Sequence, residues 1–327
     1  MDGQEACFSY VDAIKIGLNQ VYKERDPRSY FEVSGQLGYI LPELAAPVLF
    51  QLVGQLMRQK GRPVTILDIG CSYGVLAAIM RYGLSMKQLR DRYAAGSIWA
   101  LSSDHLVSYD ANYFAGWPCC NYVRFIGLDC SAAAIAYALR VGLIEEGLVV
   151  DLETDAPNKR ARSAISRVDL IVSIGAIRYI SEKTFVELLK PFASSDAPWI
   201  ASFVPRMIDY TNIATIISQH DLSTERLDSV TFAQHRFRDS AELQNVIQLI
   251  QARGIDPAGK EADGVCHAEL FVSRPSSDIS AAALQDIVRP RNAMLLAALE
   301  NPTDHQLHAA AQQVSHSFDF VDQCEAS

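Results

Sequence analysis

The chain has 327 residues, of which 49% are hydrophobic and 20% charged, a globular composition that excludes disorder along its whole length. Against 29 Lys and Arg stand 38 Asp and Glu, giving a net charge of −9, and the basic clusters, such as Lys159-Arg160-Ala161-Arg162, are short. A chain this acidic has no general attraction for a phosphate backbone, so nucleic acid is not an expected partner.

The N-terminus, Met1-Asp2-Gly3-Gln4-Glu5, is acidic and lacks a basic region followed by an apolar core, so no secretory signal is expected. No stretch reaches the ~18 uninterrupted apolar residues of a membrane span. In the nearest candidate, Leu41 to Met57, Pro42 and Glu43 interrupt. The seven cysteines are scattered, odd in number and without a C-x-x-C pair, which points to a reduced, cytoplasmic protein without disulfides or a zinc knuckle.

In chain order, Phe8 to Tyr22 and Ala46 to Met57 show helical periodicity, so residues 1–62 read as an N-terminal helical lid. The first strand follows at Val64 to Ile69, almost wholly apolar, as expected of a strand covered on both faces. A helix is expected at Val75 to Tyr82, then an insertion over 84–122 that is far longer than an ordinary connection. Val123 to Leu128 is the second strand, and Ser131 is placed to cap the helix that runs to Val141. Further strands are expected at Gly147 to Val150, Asp169 to Ile174 and Trp199 to Val204, with a helix from Glu182 to Lys190 before the last of them. Two late runs, Val230 to Phe237 and His267 to Val272, flank a helix from Ser240 to Arg253, and the tail, Asp278 to Phe320, reads as two helices broken at Asn301-Pro302. The expectation is an α/β fold with a seven-stranded, mostly parallel, doubly wound sheet over residues 63–275, and a C-terminal helical appendage over 276–327.

The most informative stretch is Ile66-Leu67-Asp68-Ile69-Gly70-Cys71-Ser72-Tyr73-Gly74-Val75. A buried strand enters a glycine turn and a helix begins at once, at the carboxyl edge where open α/β sheets bind ligands. The dinucleotide pattern G-x-G-x-x-G fails at Ser72 and Val75, and no lysine follows Gly74 as a phosphate-binding P-loop requires. What remains, acidic-x-Gly-x-small-x-Gly, resembles the first motif of class I S-adenosylmethionine (SAM)-dependent methyltransferases, with serine in place of the usual middle glycine.

The resemblance implies SAM as cofactor. It assigns the cofactor site to Asp68, Gly70, Cys71, Ser72, Tyr73 and Gly74 of the turn, to Asp129 and Cys130 after the second strand, to Asp151 and Leu152 after the third, and to Ile174 at the end of the fourth. Asp129 is the expected ribose carboxylate and Asp151 the residue facing the adenine amine. The gap from the turn to Asp129 is longer than the ~20 residues usual for such an acid, because the insertion fills it. Its aromatic residues, among them Tyr109, Tyr113, Phe114 and Trp117, either pack the insertion onto the domain or cover a substrate. Tyr30 in the lid is a candidate to touch the cofactor carboxylate, and Tyr73 to face the sulfonium through a cation–π interaction.

Beyond the fourth strand, where such proteins present the reactive methyl, the chain reads Gly175-Ala176-Ile177-Arg178-Tyr179. It lacks the Asn-Pro-Pro-Tyr motif of nucleic-acid amino-methylating enzymes, so a small molecule of secondary metabolism is the expected substrate. Arg178, Tyr179 and His235 are the candidate catalytic residues, and no residue cluster has metal-ligand spacing. Two other readings stay open. One is a SAM-consuming enzyme that cyclises the amino acid chain to an azetidine with release of methylthioadenosine, or transfers the aminocarboxypropyl group. The other is a non-catalytic SAM-binding partner. The apolar N- and C-terminal helices could build a homodimer interface or close the core.

Overall fold

The computed structural model describes residues 21, 24–192, 196–228 and 230–288. The helical expectations for most of Phe8 to Tyr22 and for the tail around Asn301-Pro302 lie outside the described residues.

Five parallel strands make the centre of the sheet: β1 (Val64–Ile69), β2 (Val123–Asp129), β3 (Glu146–Val149), β4 (Leu170–Ile174) and β5 (Trp199–Pro205). Three more complete it: β6 (Leu222–Arg226), β7 (Phe232–Arg236) and β8 (Val265–Pro275). The strand path is β3-β2-β1-β4-β5-β8-β6, and β8 runs antiparallel to β5, β6 and β7. All seven expected strands are present, six of them on this path and the run from Val230 to Phe237 as β7 beside β8, in the fold class that the resemblance implies. The eighth strand, β6, is the addition: the long β8 pairs with β6 along one part of its length and with β7 along another. The short polar run of β6, Leu-Ser-Thr-Glu-Arg, carries no apolar alternation and was legible only through this pairing.

Helices cover both faces. α1 (Arg28–Gln36) and α2 (Leu41–Lys60) precede the sheet, α3 (Val75–Tyr82) follows β1, and the insertion forms α4 (Met86–Ala94), α5 (Gly96–Trp99) and α6 (Ser103–Ala115). α7 (Ala132–Arg140), α8 (Lys159–Ile165), α9 (Glu182–Leu189), α10 (Thr211–Ser218), α11 (Ser240–Ala252), α12 (Ser276–Ala281) and α13 (Leu284–Ile287) complete the order. Along β1, Val64 and Ile66 join one core with α2, α3 and the insertion, while Leu67 and Ile69 join a second with α8, α9 and α10. Burial on both faces is why the strand is apolar nearly throughout. Among the described residues no single helix is long and apolar enough to cross a membrane. α2, the nearest, buries twelve of its twenty residues.

The insertion is anchored by a buried carboxylate. Asp110 is fully buried and accepts hydrogen bonds from Arg92, from Tyr93 Oη at 3.1 Å and from Tyr137 Oη at 2.7 Å. Arg92 also stands 3.8 Å from the centre of the Tyr113 ring. Burial pushes the Asp110 carboxyl up, and the three donors offset it. Phe114 is buried and Tyr113 and Trp117 pack on the core, whereas Tyr109 is 53% exposed. The insertion's rings therefore pack it on the core, with Phe114 against Tyr82 of α3, while Asp110 and Tyr93 tie it to Tyr137 of α7.

The N-terminal segment, the expected lid, is tied to the segment between α3 and β2. Ser103 Oγ donates to Asp26 at 2.6 Å, and Arg28 Nη1 donates to the carbonyls of Ile98 and Leu101 at 3.3 and 3.0 Å. The buried Glu43 of α2 accepts from the Met86 N–H at 2.7 Å, and burial pushes its carboxyl up to about 7. The link between α1 and α2 is stitched to β7, with Ile40 N donating to Gln234 O and Arg236 N to Leu37 O at 3.0 and 2.8 Å.

Candidate functional site

Strand order reverses between β1 and β4, so their carboxyl ends flank the crevice where open α/β sheets take ligands. The glycine turn lines it. Gly70 adopts φ +69°, and a Cβ there would lie 2.8 Å from Ala176 Cβ, so only glycine allows β1 and the segment after β4 to approach so closely. Ser72 takes the left-handed region at φ +49°, a strained conformation for a serine, of the kind that concentrates at functional sites. Its hydroxyl is buried and without a hydrogen-bond partner among the described residues.

Two carboxylates meet at this turn. Asp129 accepts from the Ser72 N–H at 2.9 Å through one oxygen and from the Ser131 N–H at 2.8 Å through the other. An ionised carboxylate offers about four acceptor positions, so each oxygen keeps capacity for a ligand hydroxyl. Asp68, 4% exposed, sits beside it, and burial together with the Asp129 charge pushes its carboxyl up to about 8. Among the described residues no lysine or arginine forms an ion pair with either acid. Two buried acids without a counter-cation repel phosphate and favour a ligand that brings its own positive charge and hydroxyl donors.

The other expected cofactor residues fall around these. Cys71 is buried, packed so that a Cβ on Gly127 would lie 2.6 Å from its sulfur. Gly74 takes φ +81° as α3 begins. The exposed Cys130 thiol is raised by partial burial and then by the charges of Asp129 and Asp151. Asp151 is exposed at the β3 tip and accepts from the Glu153 N–H at 3.0 Å. Leu152 points into the core at 4% exposure, and Ile174 closes β4 at 9%. Tyr30 is buried with its ring 5.8 Å from that of Tyr73, near enough for the Asp68 charge to act on its hydroxyl. Tyr73 is 1% exposed, and its hydroxyl binds the carbonyls of Val21 and Glu24 at 2.9 and 3.0 Å. It fastens the turn to the lid, and packing at both ends of the ring explains that role.

Arg178, Tyr179 and His235 come together at the tips of β4 and β7. Arg178 Nη2 lies 3.9 Å from Cys266 Sγ. His235 Nδ1 is 2.9 Å from the Arg236 carbonyl, and burial, followed by the Arg178 charge, pushes the imidazole down to about 4. It is neutral at pH 7, with Nδ1 as donor and Nε2 as the lone-pair atom. Burial raises the Tyr179 hydroxyl, with Arg178 and Arg238 acting against it. Among the described residues no group of three His, Cys, Asp or Glu side chains could hold a metal ion.

Two neighbours of Gly175 escape a linear reading. Gly175 takes φ +78°, and a Cβ there would meet Tyr39 Oη at 2.9 Å and Gln234 Nε2 at 3.5 Å. Nothing in the sequence of β7 singles out Gln234, whose burial is seen only in the folded chain.

No family model matches the chain. No curated protein matches it either. Solved structures do. The plantazolicin methyltransferase BpumL in complex with a triazolic desmethylPZN analogue and SAH shares 13% identity over 82% of this chain and 98% of that one, with a TM-score of 0.38. Magnesium protoporphyrin IX methyltransferase from Synechocystis PCC 6803 with bound SAM shares 12% over 68% and 76%, with a TM-score of 0.33. A TehB-like SAM-dependent methyltransferase from Corynebacterium glutamicum ATCC 13032 shares 14% over 67% and 85%, with a TM-score of 0.31. The assignment of the fold rests on the chain's own strand order.

Proposed function

We propose that this chain binds SAM across the tips of β1 to β4 and transfers its methyl group to a small molecule, in secondary metabolism. The observation that carries this reading is the pair of buried acids, Asp68 and Asp129, at a strained glycine turn without a counter-cation among the described residues. SAM brings an ammonium, a sulfonium and two ribose hydroxyls, and no phosphate, which is the charge and donor pattern that the acids lack. Two of the methyltransferases named above, solved with SAM or SAH, are consistent with it.

When bound, SAM supplies an electrophilic methyl group on a sulfonium. The chain's part is to hold and enclose. Asp129, fixed by two backbone N–H groups, orients the ribose, and Asp68 stands where the amino acid end would lie. The lid and insertion, joined through Asp26, Arg28 and Glu43, exclude water above the turn. Holding donor and acceptor in line, in a dry site, supplies much of the acceleration of a single displacement. His235, neutral at pH 7, would accept a proton released by the acceptor at Nε2, although at about 4 it is a weak base.

Calorimetry with SAM, NAD and ATP tests the cofactor. Tight binding of SAM alone is expected, and a preference for either phosphate ligand overturns the reading. Incubation with SAM and a metabolite extract should then give S-adenosylhomocysteine. Methylthioadenosine formed from SAM alone would instead establish the cyclising chemistry, and methylthioadenosine formed only with the extract the aminocarboxypropyl transfer.

A further inference from the structure

Strand β7 is irregular at one residue. Ala233 lies opposite His267 and His235 opposite Cys266, so Gln234 is the extra residue of a β-bulge. A bulge releases a residue from the ladder and re-aims its side chain, and bulges are over-represented beside active sites. The released Gln234 carbonyl accepts from Ile40 N at 3.0 Å, and its side chain turns inward to 3% exposure.

Its amide orientation is set by a thiol. Burial pushes Cys266 up to about 12, so the sulfur keeps its hydrogen and donates to Gln234 Oε1 at 3.6 Å. The nitrogen is thereby turned toward the peptide after β4, 3.5 Å from where a Cβ on Gly175 would be. Among the described residues Nε2 makes no hydrogen bond. Nε2 is not one of the fully buried polar atoms that lack a partner, so this donor of a largely buried side chain opens onto space that a ligand can fill. The local field favours an anion: Arg178 and Arg238 act on His235 next door, and the opposing carboxylates are each paired, Glu242 with Arg238 and Glu261, which acts on Cys266, with Arg206.

We propose that Gln234 is a specificity-determining residue that donates from Nε2 to a carboxylate oxygen of the acceptor molecule. The inference deepens the methyl-transfer reading and rests on it, since it takes the tip of β4 as the place where donor and acceptor meet. It narrows the substrate class to small carboxylic acids.

The test uses benzoate and benzylamine as probes, titrated by calorimetry into the full chain loaded with S-adenosylhomocysteine. Wild type is compared with Gln234→Glu, which keeps the shape but replaces donors with acceptors, and with Gln234→Leu, which removes both. Benzoate is expected to bind wild type and to weaken about tenfold or more in both variants, while benzylamine gains affinity only in Gln234→Glu. Benzoate binding equally to all three proteins, or to none, overturns the proposal, as does a variant whose S-adenosylhomocysteine affinity falls alongside. If S-adenosylhomocysteine fails to bind wild type, the cofactor reading falls, and benzoate titrated into the unloaded proteins still decides the role of Gln234.

Discussion

The tips of β1 to β3 and the tips of β4, β7 and β8 belong to one edge of one sheet, yet they carry opposite chemistry. On the first side stand Asp68, Asp129 and Asp151, with backbone N–H groups as the main partners of Asp129 and Asp151. On the second stand Arg178, Arg238, a neutral His235 and the inward amide of Gln234. A cationic donor on the acidic side and an anionic acceptor on the basic side would each find the field that suits it. The contrast also shows how the two halves are built. Acids on the first side sit at the ends of regular strands, whereas the second side depends on a bulge and on pairing with an antiparallel strand.

The sharpest way to break the comparison is Asp129→Ala. It removes the acceptor for two backbone donors and, in the proposed function, for the ribose hydroxyls, so SAM affinity should fall roughly hundredfold, about 3 kcal/mol, in calorimetry. Full affinity in that variant would remove the acidic side from the site. Next in size is a pair of glycine variants. Gly70→Ala forces a left-handed alanine against Ala176 Cβ, which cannot swing aside, and should cost about 2–4 kcal/mol in denaturant unfolding. Gly175→Ala crowds the end of the Tyr39 side chain and touches Gln234 Nε2 only at ordinary contact distance, so about 1–2 kcal/mol is expected from backbone strain. Equal losses would contradict the difference in packing between the two sides.

A smaller effect follows from Asp68. Its folded carboxyl is raised to about 8 against 3.8, so the folded protein holds a proton that the unfolded chain has released. Its contribution to stability therefore falls as pH rises from about 4 to about 8. A cationic ligand reverses this, and SAM binding at pH 7 should release close to one proton, read from calorimetry in buffers of different ionisation enthalpy. Asp68→Asn should abolish that release. The smallest effect concerns His235, lowered to about 4 from 6.5, whose contribution is present above about 6.5 and lost as pH falls through 4. Its NMR resonances should stay those of neutral imidazole above pH 6, and Arg178→Gln should move the transition upward. A normal titration near 6.5 in the wild type would show that neither burial nor the Arg178 charge acts on the ring as described.

Much of this was legible along the chain. The apolar runs of β1, β2, β4 and β5, the caps at Ser131 and the turn from Asp68 to Gly74 depend on residues within a few positions of one another. Local sterics and alternating burial are written in the sequence for the same reason. Even the acids at the strand tips followed, because a strand's end fixes which edge its next residue joins.

Other features came only from long-range contacts. Tyr73 looked like a ligand-facing ring, but its hydroxyl finds carbonyls some fifty residues away in the lid. The insertion's aromatics acquired their place from Asp110 and Tyr137, and β6 became a strand because β8 is long enough to pair with it. Gln234 is the clearest case. A bulge exists only relative to a partner strand, so no pattern along β7 alone could say which way its amide would face. The sequence by itself determined the parallel strands and the acidic turn, since these rest on neighbours in the chain. The tertiary structure decided the basic side, since it is assembled from elements that touch only after the chain has closed on itself.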